Sequence, residues 1–205
     1  MLELLGTAAS RTARVLWTLE ELGRDYRHTS IDHRRGENRD AGFLSLSPTG
    51  QIPVLKDGDT IVRQSLAINL HLAFDSAPND LLPADATMRA AALEWSLWAA
   101  TEMEPHSFFR LTEKAKPEDE QDRAGLMRAD VAIRKALDCL ENSLGDGDYI
   151  VGGRFTIADL NAVGPIEYLQ RTAYPLEAWP RIRAWLARCQ ERPAYKRVLA
   201  MKAAA

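Results

Sequence analysis

Hydrophobic and polar positions follow two different patterns along the chain. Up to about residue 77, short apolar runs suited to strands alternate with stretches that have helical spacing. Beyond residue 84, nearly all apolar positions recur every three or four residues, which predicts helices alone. We therefore expect an α/β domain over residues 1–77, a linker over 78–84 and an all-α domain over 85–205.

The first domain is predicted to order its elements as βαβ followed by αββα. "LELL" and "DYRHTSI" have the composition of strands, and a helix is expected over residues 10–23 between them, with Gly23 as its stop signal. "ENRDAGFLSL" predicts a short helix or an irregular turn. In "IPVLKDGDTIVR" two strand-like runs flank Asp57-Gly58, which predicts a β-hairpin. "SLAINLHLAF" returns to helical spacing.

The linker is predicted from "DSAPNDLLPAD", in which prolines and small polar residues interrupt the periodic pattern. After it, "DATMRAAALEWSLWAATEMEPHSFFRL" predicts one long helical segment with a bend at Pro105. "FTIADL" contains a capping box at the start of a later helix, with Thr156 as the cap and Asp159 in the position usually held by Glu. We interpret it as a folding signal, not as a site.

Composition excludes several classes of function. The 205 residues carry a net charge of −3, which argues against a nucleic acid or an anionic membrane as partner. The two cysteines, Cys139 and Cys189, lie far apart, and the four histidines have no ligand spacing, so neither a disulfide framework nor a metal site is expected. With no signal peptide and no apolar run near the ~20 residues that a bilayer requires, we expect a cytoplasmic protein.

Three stretches of the first domain carry candidate chemistry. Ser10 in "GTAASRTARVLW" stands at the start of the first helix, where free backbone N–H groups and a hydroxyl meet. "SPTGQIPVL" places a proline at the entrance to a hairpin strand. In "RQSLAINL", Gln64 and Ser65 precede a helix whose N-terminus is suited to an anion.

Together these stretches resemble the cytosolic glutathione transferase family, in its serine-type, theta-like or delta-like form. The resemblance covers essentially the whole chain and is carried by "SRTARVLWTLEELG", "SPTGQIPVL", "QSLAINLHLA" and "FTIADL" in that order. It implies an α/β thioredoxin-like N-terminal domain, an all-α C-terminal domain and a homodimer. It also implies transfer of glutathione, as co-substrate without a further cofactor, to a small hydrophobic electrophile. A glutathione-dependent isomerase, dehalogenase or peroxidase, or a non-catalytic binding protein, stays open as an alternative.

The resemblance also assigns the glutathione site. The Ile52–Pro53 bond corresponds to the family's cis-proline bond, where the backbone before proline receives the cysteinyl unit. Gln64 and Ser65 correspond to the pair that holds the γ-glutamyl end, although Ser65 is also a suitable helix cap. Asn38 and Gln51 are candidates for the glycyl carboxylate, with Arg39 as a substitute. Asn38 is equally well explained as a turn residue.

Ser10 is the candidate catalytic residue. Serine-type members carry the catalytic hydroxyl four residues before an arginine, and Ser10 stands four residues before Arg14. The first 25 residues contain no tyrosine or cysteine that could take this role. Two alternatives remain open: Thr7 as the catalytic hydroxyl, and Ser10 as a simple helix cap. The adjacent Arg11 adds positive potential or lines the mouth of the cleft.

The electrophile pocket is the least defined prediction. The family builds it between the first loop and the first helix of the all-α domain, where "EWSLWAATEMEPHSFFR" is rich in aromatic residues. Helical spacing puts Trp98, His106 and Phe109 close to one face, although each is also a plausible core or surface residue. The candidates are Ala8, Ala9, Arg11, Trp98, His106 and Phe109, with Glu102 and Glu104 as possible neighbours of the active site or of a second subunit.

Overall fold

The computed structural model describes residues 1–203, which pack into two units. Of the described residues, the first unit contains 1–82 and 191–203, and the second contains 83–190. The expected fold class, an α/β domain and an all-α domain, is confirmed. The C-terminal helix, however, packs with the α/β unit, contrary to the prediction that residues 85–205 form one helical domain.

The first unit is built on a four-stranded mixed sheet. Its strands are β1 (Leu2–Leu5), β2 (Tyr26–Thr29), β3 (Val54–Asp57) and β4 (Thr60–Arg63). They lie in the order β2-β1-β3-β4, with β1 parallel to β2 and antiparallel to β3, and β3 antiparallel to β4. The helices are α1 (Thr12–Leu22), α2 (Ala41–Leu46) and α3 (Ser65–Asp75), with 3-10 turns at His33–Arg35 and Glu37–Arg39.

Local sequence signals explain most of these elements. Asp57 pairs with Thr60, which leaves Gly58 and Asp59 as a two-residue hairpin loop, and Gly58 takes the positive φ of 57° that such loops require. Helix α1 ends where Gly23 adopts a left-handed conformation and donates to the Leu19 carbonyl, as its position predicted. The predicted strand "DYRHTSI" is shorter than expected and pairs only over Tyr26–Thr29.

The second unit is a bundle of helices. In α6 (Arg123–Leu144), Ile133, Leu137 and Leu140 are fully buried, as their helical spacing predicts. Helix α7 (Ile157–Arg171) is buried over most of its length. The helices are α4 (Ala86–Trp98), α5 (Glu104–Lys114), α6 (Arg123–Leu144), α7 (Ile157–Arg171) and α8 (Pro180–Gln190), while α9 (Pro193–Ala203) follows in the first unit.

A π-helical segment, Ala99–Met103, joins α4 to α5. The N–H of Glu104 donates to the carbonyl of Ala99, five residues earlier. Pro105 has no N–H and its ring collides with the carbonyl four residues before it, so regular α-helical bonding cannot continue through this point. The prediction of one helix bent at Pro105 is therefore replaced by two helices with a wider turn between them.

The predicted capping box at the start of α7 is present. The Thr156 hydroxyl accepts from the N–H of Ala158, and the carboxylate of Asp159 accepts from the N–H of Thr156 at 2.8 Å. Asp159 also accepts from the N–H of Ile150 and from the indole of Trp185, each at 2.9 Å. Burial raises the pKa of Asp159, and these hydrogen bonds act in the opposite direction. The interpretation as a folding signal agrees with a carboxylate that is fully engaged inside the unit.

None of the helices within residues 1–203 combines the length and the apolar character needed to cross a bilayer.

Candidate active site

Three chain segments meet at one edge of the sheet. Leu5 of β1 pairs with Val54 of β3, and Val54 pairs with Arg63 of β4, so these three residues form one row across the sheet. Residues 6–11 leave β1 at this row, residues 51–53 arrive there before β3, and Gln64 and Ser65 follow β4. The sheet register therefore brings together the three stretches that the sequence singled out.

The Ser10 hydroxyl lies just before the N-terminus of α1 and is partly buried. Its Oγ is 2.7 Å from the carbonyl oxygen of Thr7, to which it donates. It also accepts from the N–H of Thr12 at 3.2 Å and lies 2.9 Å from the Thr12 hydroxyl. Arg11, not Ser10, occupies the backbone N-cap position, and the Arg11 side chain makes no capping hydrogen bond. Ser10 thus meets one free N–H of the helix without being its cap residue.

Thr7 is less accessible than Ser10. Only 2% of its surface is exposed, and its hydroxyl accepts a long, 3.4 Å hydrogen bond from the N–H of Ala9. Of the two predicted hydroxyl residues, Ser10 is therefore the more exposed.

Ile52 presents an unused backbone edge. The Ile52–Pro53 bond is cis, as the sequence resemblance implies. Among the residues that the structure describes, none makes a hydrogen bond with the N–H or the carbonyl of Ile52. A Cβ placed on Gly6 would lie 3.2 Å from the Ile52 Cβ, so this edge adjoins the loop that carries Ser10. An extended peptide can pair with such an edge as an added strand.

Gln64 and Ser65 stand at the N-terminus of α3. Gln64 has a φ of 70°, which is rare for a residue other than glycine and is concentrated at functional sites. Its amide donates to the side chain of Gln51 at 3.1 Å, which joins two of the predicted ligands. Ser65 is buried, and no described side chain caps the first turn of α3. The free N–H groups there are suited to a carboxylate.

The two adjacent candidates for the glycyl carboxylate face in different directions. Asn38 is 8% exposed and its amide donates to the carbonyl of Gly50 at 2.7 Å, while its buried Oδ1 has no partner within residues 1–203. Arg39 is exposed, and a Cβ on Gly50 would lie 2.9 Å from its Nη1. The structure thus makes Asn38 a support of the loop before Gln51 and leaves Arg39 as the cation next to that loop.

The residues predicted to line the electrophile pocket differ in exposure and in their contacts. Ala9 is exposed, but Ala8 is buried and lines no open surface. Trp98 is half-buried, with its ring centroid 4.9 Å from that of Trp95. Phe109 lies against α6, because a Cβ on Gly125 would be 2.6 Å from its ring. Helix packing therefore accounts for at least part of the Phe109 ring, and its place in an electrophile pocket stays a prediction.

The π-helical segment also corrects the spacing argument for this pocket. Trp98 precedes Ala99–Met103 and His106 follows it, so a period of 3.6 does not relate their directions. The regular α-helical spacing on which the prediction rested therefore does not hold between Trp98 and His106, and their joint place in a pocket stays a prediction. Arg11 and His106 are both half-buried.

The sequence reasoning missed Thr12. This threonine is fully buried, and both its hydroxyl and its N–H contact Ser10 Oγ. The sequence does show a second hydroxyl residue two positions after Ser10. Helical periodicity, however, indicates only that this position faces the core.

Comparisons with known proteins give the family of this chain. Residues 2–74 match the family described as "Glutathione S-transferase, N-terminal domain", and residues 98–193 match "Glutathione S-transferase, C-terminal domain". "Glutathione S-transferase 3" of Zea mays is 34% identical over 97% of this chain and 93% of its own. "Glutathione S-transferase GstA" of Escherichia coli O157:H7 is 33% identical over 86% of both chains.

A solved structure shows the same fold. The crystal structure of glutathione transferase F7 from Populus trichocarpa has a TM-score of 0.89 and 26% identity, and covers 98% of this chain and 99% of its own. With both domain families matched in order, and with a relative above 30% identity along nearly the whole length, the chain belongs to the glutathione S-transferase family.

Proposed function

We propose that this protein is a serine-type transferase in which Ser10 stabilises the thiolate of glutathione for attack on a hydrophobic electrophile. The observation that carries the proposal is the convergence of a partly buried hydroxyl, an unpaired backbone edge and a free helix N-terminus at one end of the sheet. These groups match the thiol, the peptide backbone and the γ-glutamyl carboxylate of one glutathione molecule.

In this arrangement glutathione lies along the edge of the sheet. Its cysteinyl unit pairs with the backbone of Ile52, and its γ-glutamyl carboxylate accepts from Ser65 and the N–H groups of α3. Gln64 bonds the γ-glutamyl ammonium through its amide oxygen. The glycyl carboxylate is held by Gln51 and Arg39, with Asn38 supporting the loop from inside.

Ser10 then lowers the pKa of the bound thiol. A free thiol titrates near ~8.5, so only a few per cent is thiolate at pH 7. A hydroxyl donor and the positive end of α1 stabilise the charged form. The thiolate sulfur forms a bond to the electrophilic carbon, and the bond from that carbon to the leaving group breaks with its electron pair. In an addition reaction no group leaves: the π electron pair moves to the far atom of the acceptor, which takes up a proton from solvent in place of the one that the thiol released.

The test replaces each hydroxyl in turn. In Ser10→Ala, the pKa of enzyme-bound glutathione should rise, as read from thiolate absorbance against pH. Turnover with an aryl halide should fall about 10- to 1,000-fold, because one preorganised donor is lost. Glutathione affinity should change little. Thr7→Ala serves as the control and should be nearly silent; the reverse pattern would transfer the role to Thr7, and two silent variants would end the hydroxyl mechanism.

The finer class and the assembly are also part of the proposal. The motif around Ser10 resembles that of serine-type, theta-like or delta-like members. Relatives at 28–30% identity, however, include "Glutathione S-transferase F6", "Glutathione S-transferase F7" and "Glutathione S-transferase F14" of Arabidopsis thaliana. No comparison favours an isomerase, a dehalogenase, a peroxidase or a non-catalytic protein.

We also propose a cytoplasmic homodimer. Light scattering at micromolar concentration should give twice the mass of 22.9 kDa, and a monomer would contradict the assembly.

A further inference from the structure

Ser10 Oγ is surrounded by three polar atoms, one from its own loop and two from Thr12, the first residue of α1. The Thr7 carbonyl is nearest at 2.7 Å, the Thr12 hydroxyl lies at 2.9 Å and the Thr12 N–H at 3.2 Å. All three distances fall within the hydrogen-bond range. The hydroxyl is therefore fixed from several sides before any ligand arrives.

The protons of this cluster can be assigned from donor chemistry. A carbonyl oxygen only accepts, so the single proton of Ser10 points to Thr7 O. The remaining 2.9 Å contact must then be a donation from the Thr12 hydroxyl to Ser10 Oγ. The Thr12 N–H also donates to this oxygen. Ser10 Oγ thus receives two hydrogen bonds from Thr12 while it gives one to Thr7.

The Thr12 side chain occupies space that is left open because residue 6 is glycine. Thr12 is fully buried, and a Cβ on Gly6 would lie only 2.3 Å from Thr12 Oγ1. Gly6 itself is held in place, since its N–H donates to the Thr29 carbonyl at 3.0 Å and its carbonyl bonds to His28 Nε2 at 2.7 Å. The absence of a side chain at residue 6 is what allows the Thr12 hydroxyl to reach Ser10.

We propose that Thr12 is a positioning residue that holds and polarises the Ser10 hydroxyl. The inference rests on the proposed role of Ser10. When the thiolate binds, the Ser10 proton turns from Thr7 O to the sulfur, and the Thr12 hydroxyl keeps donating to Ser10 Oγ. Bonds received by an oxygen strengthen the bond that it gives, so Thr12 makes Ser10 a better donor to the thiolate.

The experiment removes the Thr12 hydroxyl at nearly constant shape. In Thr12→Val the pKa of bound glutathione should rise by about 0.3–1 pH unit. The kcat measured below that pKa should fall about two- to tenfold, the factor expected for one neutral hydrogen bond. The dissociation constant of glutathione should stay within about twofold, because Thr12 does not touch the peptide. Thr12→Ser retains the hydroxyl and should restore both values.

A matched control lies on the same helix. Thr18 is also fully buried, and its hydroxyl donates to the Arg14 carbonyl at 3.0 Å, away from Ser10. Thr18→Val removes an equivalent hydroxyl and should leave the thiol pKa unchanged. A shift in Thr18→Val equal to that in Thr12→Val would show a general effect of loosening α1 and would overturn the inference.

The outcomes separate this inference from the proposed function. If Ser10→Ala raises the thiol pKa and Thr12→Val does not, Ser10 keeps its role and the positioning role of Thr12 is wrong. If neither variant shifts that pKa, the hydroxyl mechanism itself fails. Should Thr12→Val prove too unstable to purify, the pKa of bound glutathione is measured in Thr12→Ala and Thr12→Ser instead. A raised pKa in Thr12→Ala that returns to the wild-type value in Thr12→Ser supports the positioning role, and an unchanged pKa in Thr12→Ala overturns it.

Discussion

Gln64 is held in a backbone conformation that residues other than glycine avoid. Its φ of 70° costs roughly 1–3 kcal/mol, and such strain persists only where surrounding contacts impose it. Here the conformation turns the side chain toward Gln51, at 3.1 Å, and starts α3 with Ser65. The strained conformation therefore places the amide side chains of Gln64 and Gln51 in contact beside the N-terminus of α3.

Arg39 allows a direct test of the glycyl end. Arg39→Met should weaken binding of glutathione about tenfold, because it removes a charge-assisted partner of the carboxylate. Binding of γ-glutamylcysteine, which lacks the glycyl unit, should change little in the same variant. Calorimetry with both peptides measures the difference.

The neighbouring Arg35 provides the control for net charge. It is also exposed, and Arg35→Met should leave both affinities near those of the wild type. An equal loss for glutathione and γ-glutamylcysteine in Arg39→Met would show that Arg39 contacts another part of the peptide or acts only through long-range charge.

Residue types at the site could be predicted from the sequence, but side-chain directions could not. Asn38 and Arg39 are adjacent polar residues, and both are reasonable carboxylate ligands. Asn38 turns inward because the Gly50 carbonyl, twelve residues later, needs a donor. Thr12 was missed for a related reason, since its buried position depends on the missing side chain at Gly6. Contacts between distant positions decided both cases.

Elements were predicted best where the signal was local. The hairpin around Gly58, the end of α1 at Gly23 and the capping box of Thr156 each depend on a few neighbouring residues. The segment Ala99–Met103 was predicted incorrectly because periodicity compares only α-helical and strand spacing. Pro105 showed where α-helical bonding is interrupted, but not that the chain would widen into a π-helix. The error also affects the argument for the predicted pocket, because the spacing from Trp98 to His106 crosses this segment.

At the scale of the whole molecule, the main surprise is the place of α9. Helical spacing predicts that this segment buries a face but does not say against which partner. The structure packs it on α1, where Tyr195 meets Trp17 edge-on with centroids 5.0 Å apart. The guanidinium of Arg192 donates to both carboxylate oxygens of Glu21 at 2.6 and 2.7 Å. Helix α9 therefore packs as part of the first unit, against α1.

The Arg192–Glu21 pair should contribute measurably to stability. The Glu21 side chain is only 9% exposed and also accepts from the Trp17 indole at 2.8 Å, whereas the Arg192 side chain is 30% exposed. Arg192→Met would leave a largely buried carboxylate without its cation. We expect the free energy of unfolding to fall by about 1–3 kcal/mol, between the values for exposed and fully buried pairs. Urea unfolding followed by tryptophan fluorescence measures the change.

Arg183 supplies the reference for this experiment. Arg183 is exposed on α8, and Arg183→Met removes the same charge from a solvated position. The free energy of unfolding of Arg183→Met should therefore stay within about 0.5 kcal/mol of the wild-type value. Glu21→Gln in the Arg192→Met background should recover part of the loss, because a neutral amide is less costly to leave buried than an unpaired carboxylate. If Arg192→Met and Arg183→Met unfold alike, the ion pair does not hold α9 to α1, and the packing of Tyr195 on Trp17 must do so instead.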